Sequence, residues 1–577
     1  MTAQDLTNFL AWAEENGIKW DKNAIEVREG KHGLGVYAKK NLEGGFEAIQ
    51  VPKSIVLSAV STGIANLLEE ENVEGYVGLT LAGMYEASLG TESVWSAYLA
   101  LLANRIPAMA SDLPEDAREL MKKCEAYADI ETDLKDMQSD YDTIVVPFIE
   151  KHPDVFTEDI KAKFFSFENF RIMTAHVSTR AIDVDDYHVS AFVPFVDFIN
   201  HSSEPNAEHL AHEDVCEVCG ALSCEHMDES DESDDEDVEE VPELAHENKE
   251  KRAAAKKAAA AAKDSESDDE EDGDWEDEDP ENTCDIVLDE DIKKGDEITR
   301  NYGPFPNKIF LSKYGFAEIG NPDDTVTIQL EMIRKAADGI LNNAALVEER
   351  VKWFLDTEDI FIGESDDEDS DDEEHEGGCC DHDHEGHEHH DHEHTHAAKE
   401  AMAEVDEEDE EEDSDDEDDF PRDIMYMDSD GAVDDRILML MNVLFMEQEQ
   451  FDKIQESVDV ATEYFNEVFL RRDIEENGVE IMEENEDGTE DSKVELEPLT
   501  DAARQVRKNV LEAILAVIRL RADAYNVTDK TTAEDDLEAL LNANLSGPLF
   551  YGGVCVQGEK QILQSGLKHY GDLLAAI

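Results

Sequence analysis

Three runs of acidic residues break this chain, and no packed core accommodates such a density of like charge. Glu225–Asp285 holds 28 acids against 6 bases, Glu358–Asp435 holds 38 against 2, and Asp473–Glu497 holds 12 against 1. Together they carry −69 of the formal net charge of −100 on 577 residues. Segments so charged and so poor in apolar residues bury too little surface to offset backbone ordering, so they are expected to be disordered inserts. The rest of the chain carries only −31 and is long enough for several packed units. The charge thus excludes a uniformly acidic surface and points to an enzyme-sized folded chain interrupted by acidic inserts.

Other classes are excluded by length and pattern. The longest apolar stretches, such as Ile437–Met446 and Val510–Leu520, fall short of the ~18–20 residues that span a bilayer, so no membrane segment is expected. The start, MTAQDLTNFLAWAEENG, lacks a basic n-region, a continuous apolar stretch and transit-peptide character, which argues against secretion and organelle import. Eight scattered cysteines make no disulfide framework in a chain this long, and a reducing nucleus and/or cytoplasm is the expected setting. Lys249–Lys263, KEKRAAAKKAAAAAK, reads either as a nuclear localisation patch or as a solvated Ala/Lys helix between acidic runs.

Periodicity orders the remainder. Leu6, Phe9, Leu10 and Trp12 recur at helical spacing before Gly17, so residues 1–20 are expected to hold a helix that Gly17 stops. Ala24–Arg28, Gly35–Ala38 and Phe46–Pro52 read as strands, Asn66–Phe170 and Ser166–Thr179 as helices, and Ala191–Ile199 as a β-rich apolar run. Strand signals return at Cys284–Leu288 and Asp296–Tyr302, and helices are expected in Asp434–Phe469 and Thr500–Asn542. No repeat of 20–50 residues signals a solenoid.

Chemistry concentrates in three islands. The first, Gly30-Lys-His-Gly-Leu-Gly-Val-Tyr-Ala38, lacks the spacing and following helix of a dinucleotide fingerprint, and alone is turn chemistry. The second is Pro194-Phe-Val-Asp-Phe-Ile-Asn-His-Ser-Ser203, polar groups at the end of an apolar run. The third is Gly295-Asp-Glu-Ile-Thr-Arg-Asn-Tyr-Gly303, followed by Lys313-Tyr-Gly-Phe316.

In this order the islands resemble the SET-domain protein methyltransferases. The long helical segment between the first two and the helical C-terminal block resemble the Rubisco large-subunit methyltransferase branch, which includes ribosomal-protein lysine methyltransferases. Val177-Ser-Thr-Arg-Ala181, Phe9–Trp12, Thr531–Leu541 and Glu559–Leu563 add to the likeness. It implies an α+β fold: a β-rich SET domain with a pseudoknot and a helical insertion, then an all-helical C-terminal substrate-binding domain. On that basis 1–65 is the first SET half, 66–180 the insertion, 181–320 the second half with an insert at about 208–282, and 321–577 the helical domain, broken at about 358–422 and 473–497.

The resemblance implies S-adenosylmethionine as methyl donor, held by Gly33, Leu34, Gly35, Arg180, Asn200, His201 and Tyr302. Backbone bare of side chains at Gly33 and Gly35 lets ligand atoms approach, whereas Arg180 is also open to a structural salt bridge. Tyr302 is the expected catalytic residue. A lysine amine, with a reference pKa of about 10.4, must lose a proton before it attacks, and a phenol can orient it. Asp197 and Tyr314 are expected at the target-lysine pocket, with a core aromatic as the alternative for Tyr314.

The chain lacks the cysteine-rich zinc segment that many SET enzymes carry after the tyrosine, and no metal is assigned to the reaction. Cys216-x2-Cys219-x4-Cys224-x-His226 reads either as a zinc knuckle or as unstructured thiols. His375–His396 suits weak chelation without fixed geometry. Ser230, Ser233, Ser365, Ser370 and Ser414 sit in runs that suit an acidophilic kinase.

The expected function is S-adenosylmethionine-dependent lysine N-methylation of a basic protein such as a ribosomal protein or histone, since acidic arms attract basic partners. Direct nucleic-acid binding is not expected. A histidine methyltransferase of the same fold, and a non-catalytic acidic chaperone or scaffold, are the alternatives.

Overall fold

The computed structural model describes residues 3–122, 124–212, 215–224, 226, 282–361, 424–477, 482–484, 490–493, 499–523 and 531–577. Lys249–Lys263, the His375–His396 tract and the serines of the acidic runs lie outside the described residues. No helix among the described residues is long and apolar enough to cross a membrane.

The described chain divides into two compact units. One comprises Met1–Thr327, Met427–Ala432 and Ile518–His569; the other comprises Ile328–Tyr426, Val433–Val517 and Tyr570–Ile577. Helices beyond residue 321 are thereby shared between the units.

The first unit opens with the helix Ala3–Glu15, whose Phe9 and Ala13 are fully buried. Trp12 joins them and donates its indole N–H to the Val94 carbonyl at 2.8 Å. Gly17 ends this segment at φ +86°, a conformation that costs glycine little. Nine strands follow within the unit: β1 (Ile25–Gly30), β2 (Gly33–Ala38), β3 (Glu47–Pro52), β4 (Ala181–Asp183), β5 (Ser190–Phe192), β6 (Asn200–His201), β7 (Ala207–Ala211), β8 (Thr283–Leu288) and β9 (Glu297–Arg300). They form three small sheets, ordered β1-β2-β9-β6, β3-β8-β7 and β4-β5.

The helical insertion lies between β3 and β4. Its helix Gly75–Ser88 is apolar on nearly every side and buried from Val77 to Met84, as a helix inside a core must be. Buried Glu86 accepts from Thr62 Oγ1 at 3.0 Å, Gly63 N at 2.9 Å and Ser93 Oγ at 2.7 Å, which satisfies a carboxylate taken out of water. The last helix before β4, Phe167–Arg180, is capped by Ser166, whose hydroxyl accepts from the Asn169 amide.

The apolar run Ala191–Ile199 is strand only as far as Phe192. Phe195 then takes φ +87°, Val196–Phe198 form a single 3-10 turn, and the Asp197 carboxylate accepts from the Phe195 amide at 3.2 Å. The run is apolar because this turn is buried among aromatic rings. Phe9 lies 6.0 Å from Phe195, 5.1 Å from Phe198 and 6.1 Å from Tyr98, centroid to centroid. Apolar runs of this length do not distinguish a buried strand from a buried turn. Each such phenyl ring contributes roughly 1.5–3 kcal/mol by leaving water.

In the second unit, helices Leu330–Leu341, Ala344–Leu355, Asp435–Phe445, Gln448–Glu456 and Val458–Asn477 follow in sequence. Buried Arg350 donates to the carbonyls of Val443, Leu444 and Met446 at 2.8–3.0 Å. Those carbonyls end the helix Asp435–Phe445 and have no partner within it, so a guanidinium there both bonds them and meets the negative helix end.

Candidate active site

The three motif islands are neighbours in one sheet. β2 runs antiparallel to β9, with Val36 opposite Ile298 and Tyr37 opposite Glu297. β6 runs parallel to β9, with Asn200 opposite Thr299 and His201 opposite Arg300. The side chain of Asn206 holds this parallel pair in place, donating to the Glu297 carbonyl at 2.9 Å and accepting from the Thr299 amide at 3.0 Å. Residues more than 260 positions apart are thus paired across one sheet.

The two glycines of the first island do different work. Gly33 turns the β1–β2 hairpin at φ +105°, and no atom lies within 4 Å of where a Cβ would stand. Its backbone is bare and approachable. Gly35 is covered instead: a Cβ there would overlap the Glu297 carboxylate and stand 3.0 Å from Asn200 Nδ2. Leu34 between them turns its side chain into the core, while its carbonyl accepts from Asn200 Nδ2 at 3.0 Å. The same amide donates to Glu297 Oε1 at 2.7 Å. Glu297 also accepts from the Tyr37 phenol, and burial with this carboxylate pushes that phenol up to about 12.

Tyr302 follows β9 directly. Its phenol donates to the Ile199 carbonyl at 2.9 Å, and its amide donates to His201 Nδ1 at 3.1 Å. The second bond leaves the His201 proton on Nε2, which faces Glu318 at 3.4 Å, beyond a well-formed hydrogen bond. Burial pushes His201 below its ordinary value, against the pull of Glu318, and keeps the ring neutral. Burial likewise raises the Tyr302 phenol to about 12, with Arg300 and Arg180 pulling the other way. The phenol is therefore protonated at neutral pH. Tyr314 stands 5.3 Å from it, ring to ring, and the Arg300 guanidinium lies 4.7 Å from the Tyr302 ring centre. Tyr314 is carried by a turn of π-helix, Phe310–Tyr314, that Gly315 closes at φ +77°.

Arg180 and Asp197 form a buried pair. Arg180 donates to the Asp197 carboxylate at 3.2 Å and to the Asp197 carbonyl at 3.1 Å. The carboxylate also accepts from the Tyr98 phenol at 2.9 Å, and its side chain is fully enclosed. Burial raises this carboxyl, opposed by Arg180. Asp197 is thus occupied with Tyr98, Arg180 and the Phe195 amide, while the Arg180 side chain stays about one-fifth exposed.

Cys216, Cys219, Cys224 and His226 cluster with one another. The sequence reading assigned no role to Glu297, Glu318, Arg300 or Tyr98. Glu297 had a signal, a carboxylate beginning an otherwise apolar strand, but only the register with β2 sets it against Gly35.

The donor set fits a nucleoside with an amino-acid tail. It offers the open backbone at Gly33, an Asn200 amide fixed in orientation, and two guanidiniums, Arg180 and Arg300, each keeping a buried Nε without a hydrogen-bond partner.

Comparison with known proteins agrees with this architecture. No family model matches the chain. Ribosomal lysine N-methyltransferase 3 of Saccharomyces cerevisiae is 26% identical over 383 residues, covering 61% of this chain and 68% of that protein. N-lysine methyltransferase setd6 of Xenopus laevis is 29% identical over 230 residues, 37% of this chain and 50% of that protein, so the chain spans about half of it. Among solved structures, the SET domain of LSMT bound to lysine and AdoHcy superposes with a TM-score of 0.53 at 12% identity, covering 99% of this chain and 91% of that one. Rubisco LSMT bound to AdoMet gives 0.51 at 12% identity, covering 100% and 93%. With its three islands joined in one sheet, the chain has the fold of the SET-domain structures of Rubisco LSMT and is similar in sequence to these lysine methyltransferases.

Proposed function

We propose that the chain is an S-adenosylmethionine-dependent protein lysine N-methyltransferase whose substrate is a basic protein. The observation that supports this reading is the junction of β2, β6 and β9, where Asn200 bonds to the Leu34 carbonyl and Tyr302 to the Ile199 carbonyl. When bound, S-adenosylmethionine supplies a methyl group on a sulfonium that departs as a thioether.

Gly33, the Leu34 carbonyl, Asn200 and Arg180 would hold the donor. The phenol of Tyr302, at about 12, does not serve as a proton acceptor at neutral pH. Its hydrogen goes to the Ile199 carbonyl, which fixes the oxygen and leaves its lone pairs to receive an N–H of the target amine. Arg300 and Arg180 act electrostatically on the Tyr302 site, and their positive field disfavours an ammonium and favours the neutral, attacking amine. Asp197 acts through Arg180 as a positioning residue, and Tyr314 adds an aromatic wall.

The acidic runs support a basic partner. Incubation with labelled methyl donor and a whole-cell lysate, followed by mass-spectrometric mapping, tests the proposal. Labelled lysines on basic proteins, absent with Tyr302→Phe, are expected; label on histidine, or none, overturns it.

A further inference from the structure

We infer that Cys216, Cys219, Cys224 and His226 bind one Zn²⁺ tetrahedrally as a structural site, independent of the methyl-transfer reading. The four ligand atoms all lie within 4.8 Å of one another. Nδ1 of His226 stands 3.7 Å from the Cys216 sulfur and 3.6 Å from the Cys224 sulfur. A tetrahedron with Zn–S of about 2.3 Å and Zn–N of about 2.05 Å has an S···N edge of about 3.6 Å.

The backbone is shaped for the same purpose. The Cys219 and Gly220 amides donate to the Cys216 carbonyl at 3.2 and 2.7 Å, and the Cys216 amide donates to the Ala221 carbonyl at 2.9 Å. This tight turn brings two sulfurs to one side. Gly220 completes the turn at φ +65°, and a Cβ there would stand 2.5 Å from the Tyr187 ring. Asn282 donates its side-chain amide to the Gly220 carbonyl at 2.8 Å, and Val215 and Cys216 are buried. The turn is therefore seated against the SET unit.

Three thiolates and an imidazole are soft or borderline donors, which select zinc over magnesium or calcium. Four protein ligands leave no open coordination position, so the site is structural. Its place in the chain gives it a task. His226 is the last described residue before the run 227–281, and Asn282, the first after it, is bonded to the turn itself. Zinc would close the root of that acidic excursion where it leaves and rejoins the sheet β3-β8-β7.

The test uses untagged full-length protein, because the His375–His396 tract also attracts metal. After dialysis against a mild chelator, one equivalent of zinc is expected to remain, and its cobalt replacement should show the intense visible absorption of a tetrahedral thiolate site. Cys219→Ser and Cys224→Ser should each abolish both signals, while a variant lacking residues 375–396 keeps them. Absence of retained metal in the wild type, a cobalt spectrum without thiolate bands, or zinc retained in both serine variants would overturn the inference. The wild-type cobalt spectrum decides even if a serine variant fails to fold.

Discussion

Asn200 and Glu297 meet at 2.7 Å directly over Gly35, so β6 and β9 are joined by an amide and a carboxylate that leave no room for a side chain on β2 at that point. Gly35→Ala should overpack this junction. A loss of about 1–3 kcal/mol of stability is expected, together with weakened binding of the methyl donor. Denaturant unfolding and calorimetric titration of the cofactor would measure the two, and an unchanged affinity would show that the Asn200 amide needs no such fixing.

Tyr302→Phe removes the hydrogen bond to the Ile199 carbonyl and the oxygen meant to orient the amine. Turnover should fall by roughly 100-fold or more, the scale expected when a reacting group loses its positioning. Cofactor affinity should change little. Single-turnover kinetics beside equilibrium binding separates the two, and parallel losses in both would move Tyr302 from catalysis to binding.

Acid should destabilise the first unit through His176. This ring is buried in the helix Phe167–Arg180 with neither nitrogen bonded, and burial, aided by Arg180, lowers it to about 3. The folded state refuses a proton that the unfolded chain accepts, so stability falls as pH drops from about 6.5 towards 3. His176→Leu should flatten that slope in denaturant midpoints taken across the range; an unaltered slope would place the acid sensitivity elsewhere.

Arg350→Met keeps the bulk of the side chain and removes its donors. The carbonyls of Val443, Leu444 and Met446 lose a shared partner, at an expected cost of about 2–4 kcal/mol. Thermal unfolding would record it, and a loss below measurement would mean that water replaces the guanidinium at no cost.

Removal of residues 227–281 and 362–423 should leave turnover on a short lysine peptide intact and weaken capture of a basic protein. The difference should shrink as salt is added, because screening shortens the reach of charge to about 10 Å at 0.1 M. Steady-state kinetics on both substrates across a salt series would reveal it, with equal losses on peptide and protein counting against acidic steering.

Much of this is legible in the sequence alone. Gly33, Asn200, His201 and Tyr302 stand out because glycines and polar groups interrupt apolar strands, and their order carries the family likeness. What the linear pattern hid depends on register and enclosure. Glu297 acquires its meaning only opposite Gly35, and Asp197 only when Tyr98, 99 positions earlier, closes over it. The apolar stretch after Phe192 folds as a turn because Phe195 leaves the extended region, a choice made by packing against Phe9 and Trp20. The cysteine spacing left both zinc and loose thiols open, and the distance between sulfur and imidazole nitrogen, which only the fold supplies, is what supports the zinc inference.

β7 and β8 lie side by side, with Ala211 opposite Cys284. Whatever the chain does between them, it starts and finishes within one strand spacing. Lengthening such an excursion costs only about 0.6 kcal/mol for each doubling. The β7–β8 pair therefore behaves as a socket, able to carry an excursion of almost any length at little cost to the sheet.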